Sequence, residues 1–63
     1  MTYKKIDYSK EKPTVSGRYF TFNEIKTIDG SKIEKQVTFF DLENDKIWNV
    51  YPIKYWLKPI EKF

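Results

Sequence analysis

The stretch from Gly17 to Trp48, GRYFTFNEIKTIDGSKIEKQVTFFDLENDKIW, sets two turn signals between runs rich in aromatic and β-branched residues. The signals are Asp29-Gly30 and Glu43-Asn44-Asp45-Lys46. Aromatic and β-branched side chains suit a pleated, half-buried strand. Asp-Gly between two such runs marks a hairpin, because a type I′ turn needs positive φ at both central residues. The stretch therefore predicts antiparallel strands and leaves no place for a helix.

With Asp29-Gly30 as the loop, counting outward opposes Phe22 to Val37, Phe20 to Phe39 and Arg18 to Asp41. The other face of the same hairpin sets Tyr19 against Phe40, Thr21 against Thr38 and Asn23 against Gln36. Directly opposed pairs are the unit of sheet stabilisation, and a slip by one residue would turn every side chain to the wrong face. A second turn at Asn44-Asp45 opposes Asp41 to Trp48, Phe39 to Val50 and Phe40 to Asn49, which completes a three-stranded meander.

One face of this meander gathers Phe20, Phe22, Val37, Phe39, Trp48 and Val50 and is the expected core. The reverse face carries Tyr19, Phe40, Leu42, Ile47 and Tyr51 among Thr and Asn; Tyr19, Phe40 and Tyr51 are either the candidate partner-binding residues or an apolar patch covered by the N-terminal arm.

A lone three-stranded sheet needs something packed on its apolar face. The C-terminal segment offers Ile53, Tyr55, Trp56, Leu57, Ile60 and Phe63, while Pro52 ends the third strand and Pro59 interrupts a helix. The expectation is a C-terminal lid made of a short fourth strand or one turn of helix. Residues 1–16 read as an N-terminal arm, basic through Lys4, Lys5, Lys10 and Lys12, and residues 17–63 as one small β-meander domain.

Sixty-three residues allow one domain. A chain of that size buries only about 60% of its extended surface, so each large side chain counts. The 19% aromatic content fits that need, since aromatic rings supply much core per residue.

Histidine and cysteine are absent. That removes the commonest general base near neutral pH, the thiolate nucleophile and the soft metal sites. Asp41 and Glu43 beside Trp48 form the nearest carboxylate pair, and the simpler reading pairs Asp41 with Arg18 or the Trp48 indole and Glu43 with Lys46. Asp41, Glu43 and Asp45 alternate as in a calcium loop but lack its central Gly and its twelfth-position Glu. No catalytic residue, metal ligand or cofactor is expected. No apolar run approaches the length of a membrane span, and a reducing cytoplasm is the default compartment for a cysteine-free chain.

The segments EKPTVSGRYFTF, VTFFDLENDKIW and IKYWLKPIEKF, in that order, resemble a family of small phage and prophage domains of unknown function. Members combine a Pro-containing entry, a hairpin meander, a D-x-x-x-x-x-W strand and a closing box of the I-T-H-W-M-P-L-P type. Asp41 and Trp48 stand near the middle signature, and Ile53, Lys54, Tyr55 and Trp56 stand where I-T-H-W would. Tyr55 replaces the His, and Leu57-Lys58-Pro59-Ile60 does not reproduce the Pro-x-Pro tail. The resemblance implies a phage or prophage setting and carries over no functional residue.

These readings converge on a small non-catalytic protein-binding module, cytoplasmic, engaging a protein partner or a second copy of itself through an aromatic sheet face or edge. The alternative is a single-stranded nucleic-acid binder built from the basic arm and an aromatic platform. Against it, only Lys32 is basic among the paired positions on the Tyr19 face, while Arg18, Lys26, Lys35 and Lys46 lie on the face assigned to the core.

Overall fold

Backbone pairing, not local turn preference, decides the arrangement of this chain. A computed structural model describes residues 2–60. Five strands, β1 (Thr2–Asp7), β2 (Gly17–Thr27), β3 (Gly30–Asp41), β4 (Lys46–Trp48) and β5 (Ile53–Ile60), form one sheet in the order β1-β5-β2-β3-β4. Every pairing is antiparallel, and no helix occurs among the described residues. The fold is mainly β, with the expected meander as strands β2, β3 and β4.

The hairpin register differs from the expected one by two positions. Thr27 opposes Gly30, so the tip is Ile28-Asp29, and Phe20 opposes Val37 while Arg18 opposes Phe39. Positive φ falls on Gly30, at 126°, and on neither tip residue, so the turn is not type I′. Gly30 closes the turn from a conformation that costs residues with a Cβ but not glycine. Because the displacement is even, each side chain keeps its face.

The second connection shifts in the same sense. Phe39 opposes Trp48 and Phe40 opposes Ile47, leaving Leu42 to Asp45 as the loop. The Asp41 carboxylate accepts the Asn44 backbone N–H at 3.3 Å and its side-chain Nδ2 at 2.8 Å, an Asp-centred turn that fixes the loop at this length. Asp41 is thereby engaged with Asn44, where the sequence suggested Arg18 or Trp48.

The C-terminal segment folds back as the strand alternative. β5 inserts between β1 and β2, with Thr2 opposite Ile60, Asp7 opposite Tyr55 and Thr21 opposite Trp56. Pro59 excludes a helix here, and a proline fits because β5 has no β2 neighbour at that end. Phe63 lies outside the described residues.

Residues 2–7 of the arm form β1, and residues 8–16 cross the face that carries Tyr19, Thr21, Phe40 and Trp56. The Trp56 indole N–H donates to the Glu11 carbonyl at 2.8 Å, and the Tyr19 hydroxyl donates to the Val15 carbonyl at 2.6 Å. The Leu42 N–H donates to Ser16 Oγ at 2.8 Å, and Pro13 is buried.

The core is thus on the face opposite to the expected one. Phe40 and Trp56 are 1% and 2% exposed, and Thr21, Asn23 and Thr38 are fully buried. Tyr19 packs edge-on against Phe40 and Trp56, with ring centroids at 5.7 and 5.3 Å. The residues assigned to the core from sequence stand in the open: Phe20, Val37, Phe39, Trp48 and Val50 are all exposed, Val50 at 90%, and Phe22 is half-buried.

The physical reason is that the threonines and asparagines of the buried face satisfy one another. Asn49 Nδ2 donates to Thr38 Oγ1 at 2.9 Å, the Thr38 and Thr21 hydroxyls lie 2.8 Å apart, and Thr21 Oγ1 donates to Asn23 Oδ1 at 2.6 Å. With the Thr21 proton committed to Asn23, Thr38 must donate to Thr21, so the four groups form a relay in one direction. Asn23 Nδ2 closes it on the Tyr51 carbonyl at 3.1 Å. Among the described residues no buried side-chain polar atom lacks a partner, which makes a polar interior tolerable.

Candidate functional site: the open aromatic face

Residues 8–16 and the β4–β5 connection at residues 49–52 cover one face, and no other described segment lies over the opposite one. Alternation along the paired strands assigns it Tyr3 and Lys5 from β1, Tyr55 and Leu57 from β5, Arg18, Phe20 and Phe22 from β2, Lys35, Val37 and Phe39 from β3, and Lys46 and Trp48 from β4. Tyr3 meets Phe20 edge-on at 6.1 Å. At the opposite edge of the same face Trp48 sits directly across from Phe39.

Cations are interleaved with these rings. Lys5 Nζ lies 4.4 Å from the centroid of Tyr55 and 5.0 Å from that of Phe22. Lys35 Nζ lies 4.7 Å from Phe20, and Lys46 Nζ lies 5.2 Å from Trp48. Each is within reach of the ring quadrupole, an attraction of about 0.5–1 kcal/mol at exposed sites. Arg18, opposite Phe39, borders a shallow hollow of about 310 Å³ that Tyr3, Phe20, Val37, Leu57 and Pro59 also line.

The acids of this face stand at its ends. Asp41 is held by Asn44, and Glu24 lies beyond Phe22 toward the hairpin tip. Asp7, at the end of β1, accepts the Ser9 hydroxyl at 2.7 Å and the Ser9 N–H at 3.0 Å, which hold its carboxyl below the ordinary value of 3.8. On the covered face, burial against Phe40 pushes the Tyr8 hydroxyl above its ordinary value.

The three residues proposed from sequence as partner-binding do not form a surface patch. Phe40 is core, and Tyr19 is half-buried with its hydroxyl on Val15. Tyr51 is exposed and borders a separate shallow hollow with Tyr8, Ile47, Asn49 and Ile53. Sequence reasoning missed Tyr3, Lys5 and Tyr55, because their place depends on β1 and β5 meeting across nearly the whole chain. Residues 2–7 show no apolar–polar alternation, so nothing local marked them as a strand.

Comparison with protein-family models, with curated proteins and with solved structures finds no match. Among the described residues no helix is long and apolar enough to cross a membrane, and no three His, Cys, Asp or Glu side chains come together as a metal cluster.

Proposed function

We propose that the protein is a small non-catalytic binding module that works through the open face of its sheet, and that this face takes single-stranded nucleic acid. The observation that carries the reading is the interleaving of Tyr3, Phe20, Phe22, Phe39, Trp48 and Tyr55 with Lys5, Arg18, Lys35 and Lys46 on one uncovered face. The sequence argument against nucleic acid placed Arg18, Lys35 and Lys46 on the face assigned to the core and left Lys5 in the basic arm. With the core on the other side, the same residues become its support.

Stacking on an aromatic ring contributes about 1–3 kcal/mol per base and tolerates any base. Lys5, Lys35 and Lys46 rest on rings in the free protein. When bases take the ring faces, the ammonium groups turn to the phosphates, so one set of side chains supplies both contacts. A chain of net charge +3 adds a favourable, salt-sensitive term.

The test is Trp48 fluorescence titrated with an unstructured oligothymidylate at two salt concentrations. The expected result is quenching, with affinity falling steeply as salt rises, and a loss of about tenfold in Trp48→Ala or Phe39→Ala, measured by anisotropy of a labelled oligonucleotide. No binding at low salt, or binding indifferent to salt, overturns the reading.

A second reading is favoured by a separate observation: Val37 and Ile33 are exposed beside the rings and cations, and no described strand pairs with the outer edge of β1 or β4. Such a surface suits a protein partner. In that reading the module is an accessory or host-interaction protein of the cytoplasm, in the phage or prophage setting that the resemblance in EKPTVSGRYFTF and VTFFDLENDKIW implies. A face that ignores oligonucleotides but loses a captured protein on Phe39→Ala would decide for it.

A further inference from the structure

The outer edge of β3 is open over most of its length. β4 pairs only with Phe39, Phe40 and Asp41, and no other described strand lies beside Ser31 to Thr38. Alternate residues there direct N–H and C=O away from β2. β5 pairs with β2 only at Thr21, Phe22 and Asn23, with one more bond from the Glu24 N–H to the Pro52 carbonyl. Beyond that point the hairpin is a two-stranded ribbon, which stretches the molecule to 45 × 27 × 19 Å. A ribbon of two strands is marginal in water and gains from a third.

The side chains of this edge are self-complementary in one register. We infer that a second copy of the chain pairs antiparallel with β3 about a two-fold axis at Ile33. A symmetric antiparallel pairing that keeps each side chain on its own face must centre on a residue. Centring on Lys32, Glu34 or Lys35 sets that charge against itself. Centring on Gln36, Val37 or Thr38 brings the partner strand against Phe39, where β4 already sits, and centring on Ser31 sets Ile33 against Asp29 and leaves Lys32 opposite Gly30.

Centring on Ile33 sets Ile33 against the partner's Ile33. It also sets Lys32 against the partner's Glu34 and Glu34 against the partner's Lys32. These two side chains lie on one face and already meet within the chain at 3.4 Å, with both about half exposed or more. Ile33 itself is 50% exposed. The two sheets then run on edge to edge, with both aromatic faces on the same side.

Sedimentation velocity over a range of protein concentrations tests the inference with the wild type, Lys32→Glu, Glu34→Lys and the double reversal. A dimer is expected. Each single reversal opposes like charges at two places and weakens it by about fivefold or more, and the double reversal restores it. Circular dichroism checks that each exposed-site variant is folded. As an independent readout, Ile33→Cys should oxidise to a covalent dimer faster than Lys35→Cys.

A monomer at every concentration overturns the inference, as does a dimer indifferent to the single reversals. A dimer lost in Trp48→Ala and kept in Lys32→Glu would place the contact on the aromatic face and overturn it as well. Oligonucleotide binding is a separate measurement, and its failure leaves the edge result standing.

Discussion

Trp56 and Glu11 are joined by the indole N–H donating to the backbone carbonyl at 2.8 Å, across 45 positions of sequence. Two residues along β5, the Lys58 ammonium meets the Glu11 carboxylate at 2.7 Å. Glu11 thus fastens the covering segment to β5 through both its backbone and its side chain. Trp56→Phe keeps much of the ring but leaves the Glu11 carbonyl without its donor, a loss of about 1–3 kcal/mol. Lys58→Ala breaks an exposed pair and should cost less than about 1 kcal/mol. Urea unfolding of the two variants checks the difference.

The exchange of core and open face makes a sharp contrast. Phe40→Ala empties a buried site and should cost about 3–5 kcal/mol, enough to unfold much of a domain this small. Trp48→Ala removes a side chain that is 59% exposed and should change stability by less than about 1 kcal/mol. Thermal melts followed by circular dichroism separate them, and equal losses would contradict the assignment of faces.

The relay from Asn49 through Thr38 and Thr21 to Asn23 predicts a polar cost in the interior. Thr21→Val keeps the shape but takes the donor from Asn23 Oδ1 and the acceptor from Thr38. The expected loss is about 1–3 kcal/mol, measurable by chemical denaturation. Thr21→Val with Thr38→Val should cost less than the sum of the two single changes, because the second change removes groups the first had already orphaned.

Asp7 gives the fold a dependence on acid. Its hydrogen bonds from Ser9 lower its folded-state pKa below 3.8. A depressed carboxylate stabilises the fold fully above its unfolded value, and that contribution fades as pH falls from about 3.8 through the lowered folded value. Asp7→Asn should flatten the acid-unfolding curve in that window and leave its neutral part unchanged in slope. Carboxyl chemical shifts followed through the titration give the folded pKa directly.

Strands β2, β3 and β4 and the division of their side chains between two faces were legible in the sequence because alternation is local, whereas the residues of β1 read as an arm. Phe20, Phe22, Val37 and Phe39 share a face in any register shifted by an even number, so the error of two positions at the Asp-Gly turn left that division intact. Which face would be covered was not legible. The cover is held by carbonyls of Glu11, Val15 and Tyr51, and a carbonyl is the same on every residue. Composition misled in the same way: Thr21, Asn23 and Thr38 read as solvent-facing one by one and become interior only as a mutually bonded set.

The pairing of Thr2 with Ile60 has a consequence for how the chain is made. Synthesis completes the meander β2-β3-β4 before β5, so β5 and the earlier β1, which flank it at one side, cannot dock until β5 has emerged. Through that interval β1 has no neighbour, the strap that will shield Phe40 has no Trp56 to grip, and both aromatic surfaces face water together. Closing so long a loop is slow compared with forming a hairpin, and until β5 arrives the Phe40 face is open to contact with neighbouring chains.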